Sequence, residues 1–483
     1  MAAVRSGRRG AVRRSALERR LQEAALASRR LVFYQGVVDS HPVVRPLVQL
    51  VRALAQPETD ASSDVAADTL WQTARALAGS LLADWRGLGQ HDAAPPWQDG
   101  VLDAVLTDDN PFARAAASVD RLEELPPAVR GAAAADLRRL QSIATLLPHE
   151  LETALQARGV PWPGGLWAWG LPSDEAELRP RRDLVEAVRR KWRVARDWGE
   201  SLEELAAYYR LAGPGVVGRY AVLRWDGAAL TGVAHPDPVR LEHLVGYERE
   251  RAQVVRNTER LLEAGQAHHL LLYGPRGTGK SATVKALAAA FHDRGLRLVE
   301  VPVRHISSLP RLLAMLRGYR QRFVVFVDDV SFEDAHGSFK ELKAILEGSA
   351  EPCPANVRVY ATSNRRHLVR ERHGGDETAR PSDERNEELS LADRFGITVF
   401  FPACDQELYL CIVEALARRA GIRVVDGADG DAGLADRTPG ASIDRSTLRQ
   451  RALQWALHHD GPSPRTAAQL VTELAGELAG GRP

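Results

Sequence analysis

The stretch "LLYGPRGTGKSATVKAL", residues 271–287, constrains the fold more than any other part of the chain. An apolar run stops at Gly274, and Gly279, Lys280 and Ser281 follow at the spacing G-x-x-x-x-G-K-S before a helical pattern begins. Glycines at this spacing let the backbone wrap so that its N–H groups converge on phosphate oxygens. The helix behind adds the positive end of its dipole. Lys280 is expected to bridge the β- and γ-phosphates of a nucleotide, and the Ser281 hydroxyl to bind Mg2+. Pro275, Arg276, Gly277, Thr278 and Ala282 complete the expected cradle. The strand in front and the helix behind fit an α/β arrangement.

Five apolar segments around this loop, "HLLLY", "LRLVEVPV", "FVVFVDD", "VRVYATS" and "ITVFF", alternate with helical patterns. They predict a buried five-stranded parallel sheet. In the third segment, five apolar residues lead to Asp328 and Asp329. That places a carboxylate at the carboxyl end of a buried strand, where ligands bind in open α/β sheets. Asp328 is expected to face Mg2+ through coordinated water.

The first half of the chain reads differently. Residues 31–215 are mostly helical in pattern, with Leu70, Ala74, Leu77, Leu81 and Trp85 on one helix face. Nine of the ten tryptophans precede residue 226, and the loop "PWPGGLWAWGLP" at 161–172 holds three of them. Core packing is the expected role; an aromatic docking loop is the alternative. From 218 to 233 the period changes to alternation around Asp226-Gly227, which predicts a β-hairpin linking the two halves. The polar segments 370–388 and 426–442 are expected to be mobile loops.

Charge excludes an overall polyelectrolyte: the 483 residues sum to +1. Residues 1–30 nevertheless carry nine arginines against Glu18 and Glu23. Cys353, Cys404 and Cys411 form no C-x-x-C pair, so reduced cytoplasmic thiols are expected rather than disulfides or zinc. No apolar run reaches the ~18 residues of a membrane span, and the basic N-terminus lacks the apolar stretch of a secretory signal.

The blocks "LVGYE", "RNTE", "LLYGPRGTGKS", "VDDVSFE", "ATSNRRHL", "LADRFGI" and "SPRTAAQLV" resemble the AAA+ ATPases over about residues 240–475. They are most similar to an uncharacterised bacterial family of these proteins with no assigned function. The resemblance implies a P-loop NTPase sheet with a small helical lid, ATP as the nucleotide, and a homo-oligomer or ring. With the patterns above it divides the chain into a basic flexible arm (1–30), a helical N-terminal domain (31–215), a hairpin linker (216–240), a nucleotide-binding core (241–403) and a helical lid (404–483).

The resemblance also assigns roles. Asn364 matches sensor 1, which reports the γ-phosphate and orients water. Arg394 stands where many members place an arginine finger that reaches a neighbour's γ-phosphate. Arg465 matches sensor 2, aimed at the nucleotide of its own subunit. Val245 and Gly246 lie where the adenine pocket is lined. One departure concerns the base. AAA+ proteins usually end the strand of Asp328 with Asp-Glu, and here the pair is Asp-Asp. Asp329 is one methylene shorter than Glu, and misplacement of about an ångström costs on the order of 10²-fold in rate. Glu333 is a second candidate base, and the choice between the two stays open.

The function expected is slow ATP hydrolysis coupled to remodelling an unknown protein partner. The alternatives are an ATP-dependent binding switch and a nucleic-acid loader with negligible turnover. No H-E-x-x-H or comparable protease motif is present.

Overall fold

The computed structural model describes residues 2–56, 63–83, 95–162, 182–330, 342, 345–346, 352–364, 395–426 and 442–480. Glu333, Arg394, the segment 370–388, most of the tryptophan-rich loop and residues 427–441 lie outside the described residues. Two compact units emerge: Met1–Tyr220 with Gly318–Gln321, and Ala221–Arg317 with Arg322–Pro483. The division falls within the segment expected as a linker.

The first unit is helical. It comprises α1 (Ala2–Arg29), α2 (Gln35–Ser40), α3 (Val44–Leu54), α4 (Ser63–Ala83), α5 (Gln98–Thr107), α6 (Pro111–Ser118), α7 (Pro127–Ala144), α8 (Pro148–Ala157), α9 (Arg182–Arg193), α10 (Leu202–Ala212) and α11 (Gly215–Arg219). Within the segment expected as a basic flexible arm, Ala2–Arg29 form α1. Leu21, Ala24, Ala25 and Ser28 recur at helical spacing and are buried, which ties the C-terminal half of α1 into the core. Asn110 begins α6 by accepting from the N–H of Ala113 at 2.8 Å, with Pro111 at the first helical position.

Trp97, Trp192 and Trp198 are among the largest fully buried side chains. The rings of Trp192 and Trp198 lie 5.4 Å apart, and the Trp198 indole donates to the Trp192 carbonyl at 2.9 Å. These tryptophans therefore build core. Asp136 on α7 is fully buried and accepts from the backbone N–H groups of Val32 and Phe33 at 2.7 Å and of Tyr34 at 3.3 Å. Arg139 supplies a fourth donor at 2.8 Å. This carboxylate fixes the chain between α1 and α2.

The second unit carries a sheet of seven strands rather than the expected five. The strands are β1 (Val222–Trp225), β2 (Leu230–Gly232), β3 (Leu270–Tyr273), β4 (Leu296–Glu300), β5 (Arg322–Val327), β6 (Val357–Ser363) and β7 (Ile397–Phe400). Their order is β2-β1-β4-β5-β6-β3-β7, and every pairing is parallel except β1 with β2. The five expected strands are β3 to β7. The two extra strands are the hairpin, whose turn is tied by Asp226 accepting from the N–H groups of Ala228 and Ala229 at 2.8 Å. Pairing of β1 with β4 turns the expected linker into the edge of the main sheet.

Helices α12 (Glu248–Ala264), α13 (Lys280–Phe291) and α14 (Leu309–Leu316) accompany the sheet. The face bearing Val222, Leu298, Val324 and Phe326 packs against Val284, Leu287 and Ala288 of α13. The lid consists of α15 (Gln406–Arg419), α16 (Arg445–His458) and α17 (Pro464–Gly480), with a small parallel pair β8 (Arg423–Val425) and β9 (Ser442–Asp444). Asp405 and Asp444 cap α15 and α16 through the N–H groups of Leu408 at 2.8 Å and Thr447 at 3.0 Å. Ile412, Val413, Leu448, Leu470 and Leu474 form the lid's own core. Among the described residues, no helix is long and apolar enough to cross a membrane.

Candidate functional site

The glycine-framed loop leaves β3, which lies between β6 and the edge strand β7. Gly274 has φ +139°, and a Cβ there would stand 2.0 Å from the Phe401 carbonyl oxygen, so no larger residue fits. Gly279 starts α13 at φ +91°, with no side chain covering the helix's first N–H groups. The loop therefore presents free backbone donors and a helix N-terminus at the carboxyl end of the sheet.

Lys280 is 4% exposed, and its ammonium donates to the carbonyls of Gly274 at 2.9 Å and Pro275 at 2.7 Å. Burial pulls its pKa down to about 8; Asp329 and Asp328 act against that shift, and Arg465 and Arg276 add to it. Thr278 closes the loop by donating to the Pro275 carbonyl at 3.0 Å.

Next to the lysine runs a chain of polar groups drawn from three elements. The Ser281 hydroxyl donates to Asp328 Oδ1 at 2.6 Å. The Thr362 hydroxyl, 2% exposed near the end of β6, donates to the same oxygen at 2.6 Å. That hydroxyl also accepts from the backbone N–H of Asp329 at 2.8 Å. The Asn364 amide in turn donates to Asp329 Oδ1. Asp329 has φ +55°, a left-handed conformation that Asp tolerates better than most side chains. The N–H of Val330, bonded to the Thr362 carbonyl at 2.8 Å, holds the turn from the other side.

These groups line a cavity of about 600 Å³, within the roughly 300–1,000 Å³ range of ligand pockets. The loop and helix start from Arg276 to Ala282 line it together with Asp328, Asp329, Thr362 and Asn364. His243, Leu244, Val245, Tyr247, Ile412 and Leu416 make the apolar end. Gly246 is not among the lining residues; its N–H bonds Glu248 and its carbonyl takes the Arg251 guanidinium. Gly274 and Pro275 likewise act from behind, through the carbonyls that hold Lys280.

Arg465 reaches the cavity from the first turn of α17. Ser463 and Thr466 cap that turn reciprocally at 3.0 and 3.2 Å. A Cβ on Gly277 would meet Ser463 Oγ at 3.0 Å, so the lid helix abuts the phosphate loop.

The residues present fit a nucleotide with a magnesium ion. Four cations, Arg251, Arg276, Lys280 and Arg465, face two carboxylates, which suits a polyanion. Ser281 and Asp328 offer one hydroxyl and one carboxylate. Among the described residues no cluster of three or more His, Cys, Asp or Glu gathers to hold a metal by itself. Magnesium bound by few side chains takes its other ligands from phosphate and water.

Sequence reasoning did not single out Thr362, Tyr247 or Arg251. The signal for Thr362 is a hydroxyl two residues before Asn364, at the spacing of one strand face. Tyr247 takes a left-handed φ of +57°, packs its ring tilted by 36° against Phe401 at 5.4 Å and donates to the Pro402 carbonyl at 3.0 Å. No local sequence signal marks it.

No curated protein matches the chain. Among solved structures, the Thermotoga maritima RuvB Holliday junction branch migration motor aligns at 15% identity and a TM-score of 0.32, covering 50% of this chain and 72% of that one. A replication initiator DnaA bound to AMPPCP and single-stranded DNA aligns at 14% identity and a TM-score of 0.31, covering 49% and 65%. AMPPCP-bound DnaA from Aquifex aeolicus gives 15%, 0.30, 49% and 65% in the same order. The family described as "Protein of unknown function (DUF815)" matches residues 218–478, more than half the chain, and the chain belongs to that family.

Proposed function

We propose that this protein binds ATP with Mg2+ in the cavity beside Lys280 and hydrolyses it slowly, coupling turnover to the remodelling of a macromolecular partner within a homo-oligomer. The observation that carries the reading is the unbroken run Ser281–Asp328–Thr362–Asp329–Asn364 facing the lysine loop. Lys280 and the loop N–H groups would hold the β- and γ-phosphates, and Ser281 and Asp328 would hold the metal. Bound there, the metal supplies charge neutralisation between the phosphates.

Asp329 or Glu333 would take the proton of the attacking water, and Asn364 would orient it. Slow turnover follows from Asp329, whose short side chain is also engaged by Asn364. Arg394 would act from a neighbouring subunit, and Arg465 on the nucleotide of its own chain. A second reading, an ATP-dependent binding switch, draws on the same Asp329–Asn364 bond. If that bond persists with nucleotide bound, neither group is free for chemistry and turnover is negligible.

The test is turnover by wild type, Lys280→Ala, Arg394→Ala and equal mixtures of the two variants. Lys280→Ala should lose most nucleotide affinity; Arg394→Ala should keep affinity and lose turnover. A trans finger restores activity in the mixture, because some interfaces pair an intact loop with an intact arginine. Unchanged affinity in Lys280→Ala would overturn the site. A mixture no more active than its parents, with a monomeric wild type, would overturn the oligomeric mechanism.

A further inference from the structure

The strands added by the hairpin build a second crevice beside the nucleotide cavity. Arg224 on β1 pairs in register with Glu300 on β4, and Glu300 with Phe326 on β5, so the three stand in one row across one sheet face. Asp328 follows two residues after Phe326. This is the face covered by α13, since Val222 and Phe326 pack with Val284 and Leu287. Lys285 of α13, one turn after Ser281, and Arg304, in the 3-10 turn Val303–Ser308, complete a crevice of about 320 Å³.

Three cations thus converge on a space whose acids are Glu300 and Asp328. Glu300 is paired with Arg224 at 3.3 Å. Asp328 Oδ1 already accepts from Ser281 and Thr362. Lys285 has no hydrogen-bond or ion-pair partner among the described residues, although it lies only partly exposed at the crevice wall. The opening lies at the carboxyl ends of β1, β4 and β5, the side on which open α/β sheets bind ligands.

We infer that this crevice is an anion site for a single phosphate group, held by Arg224, Lys285 and Arg304. Its volume is at the small end of ligand pockets, suited to one phosphate rather than a triphosphate nucleotide. A guanidinium offers the forked donors that match phosphate oxygens, and the unpaired ammonium adds a point charge. Asp328 belongs to both spaces. On the reading that Asp328 faces a metal ion, that ion would offset the charge of one of the two acids that line the crevice. With the nucleotide analogue already bound, phosphate in the crevice and the metal ion in the cavity therefore strengthen each other, and the effect is reciprocal. The phosphate can come as free orthophosphate or as a phosphodiester of single-stranded nucleic acid.

The experiment uses the full chain saturated with Mg2+ and a non-hydrolysable ATP analogue, which fills the phosphate loop. Radiolabelled orthophosphate is measured by equilibrium dialysis, and a labelled twelve-residue oligo-dT by anisotropy. At least one should bind, and Arg224→Gln and Lys285→Gln should each weaken it about tenfold, the loss of one charge-assisted contact. Analogue affinity in both variants should stay within about twofold, and omitting Mg2+ should weaken the anion about fivefold or more. Orthophosphate binding alone assigns the site to the free ion. Oligonucleotide binding that falls in the same variants assigns it to a phosphodiester. The inference is overturned if neither ligand binds, if both variants bind as wild type does, or if oligonucleotide binding depends only on residues 1–30. Failure of wild type to bind the analogue counts against the nucleotide reading instead. Orthophosphate dialysis of wild type against Arg224→Gln still decides the crevice, because Arg224 does not line the nucleotide cavity.

Discussion

Raising the pH from 7 to 9 is expected to weaken ATP binding about tenfold through Lys280 alone. Burial lowers the pKa of this ammonium from 10.5 to about 8. In the free protein the lysine is then half neutral near pH 8 and about nine-tenths neutral at pH 9. Nucleotide phosphates favour the charged form, so the complex holds its proton to higher pH. Each binding event above pH 8 must therefore take up a proton, and affinity falls about twofold at pH 8 and roughly tenfold at pH 9 relative to the neutral plateau. The assay is titration of a fluorescent ATP analogue at constant ionic strength and saturating Mg2+, from pH 6.5 to 9.5. Lys280→Arg keeps its charge throughout and should bind more weakly but without the alkaline decline. A flat wild-type profile to pH 9, or the same decline in Lys280→Arg, refutes the argument. Stability moves the other way. The unfolded lysine keeps its proton to about 10.5 and the folded one only to about 8, so stability rises across that window and is lower below it. Lys280→Met should therefore raise the melting temperature at pH 7, and the gain should vanish above about pH 10.5.

Two further perturbations test other parts of the molecule. Thr362→Val removes the hydroxyl that bonds the Asp328 carboxylate and the Asp329 backbone N–H while keeping the volume. It should raise the Mg2+ concentration needed for tight nucleotide binding about tenfold, consistent with loss of about 1–3 kcal/mol at a buried polar group. Metal-free affinity should be unchanged and Thr362→Ser should restore the metal response; an equal loss with and without metal would mean a structural role only. Asp136→Ala strips the buried acceptor from three backbone N–H groups and Arg139, and should cost about 3–5 kcal/mol in chemical denaturation of the helical unit. A loss below about 1 kcal/mol would show that water replaces the carboxylate.

What was legible in the sequence was what is decided locally. Gly274 and Gly279 are demanded by backbone angles at their own positions, so spacing alone located the phosphate loop. Strands β3 to β6 were visible as largely apolar runs, the mark of strands buried on both faces, whereas the edge strand β7 fully buries only Val399. β1 was not visible as sheet. Its four residues, "VLRW", bury three positions and expose Arg224, so locally they read as an ordinary half-buried hairpin. Its parallel partner β4 lies more than seventy residues away, and strand pairing at that range leaves no local trace. The base candidate exposes the same boundary in finer detail. Counting methylenes says that Asp329 is shorter than the usual Glu. Side-chain reach also depends on where the Cα–Cβ bond points. That direction is set by the φ of +55° and by the Thr362 hydroxyl that holds the Asp329 N–H, a contact between strands β5 and β6. Side-chain length therefore cannot by itself rank Asp329 below Glu333. Single-turnover hydrolysis by Asp329→Asn and Glu333→Gln separates the two candidates: the variant that keeps ATP binding and loses hydrolysis identifies the base, and full activity in both refutes a base role for either.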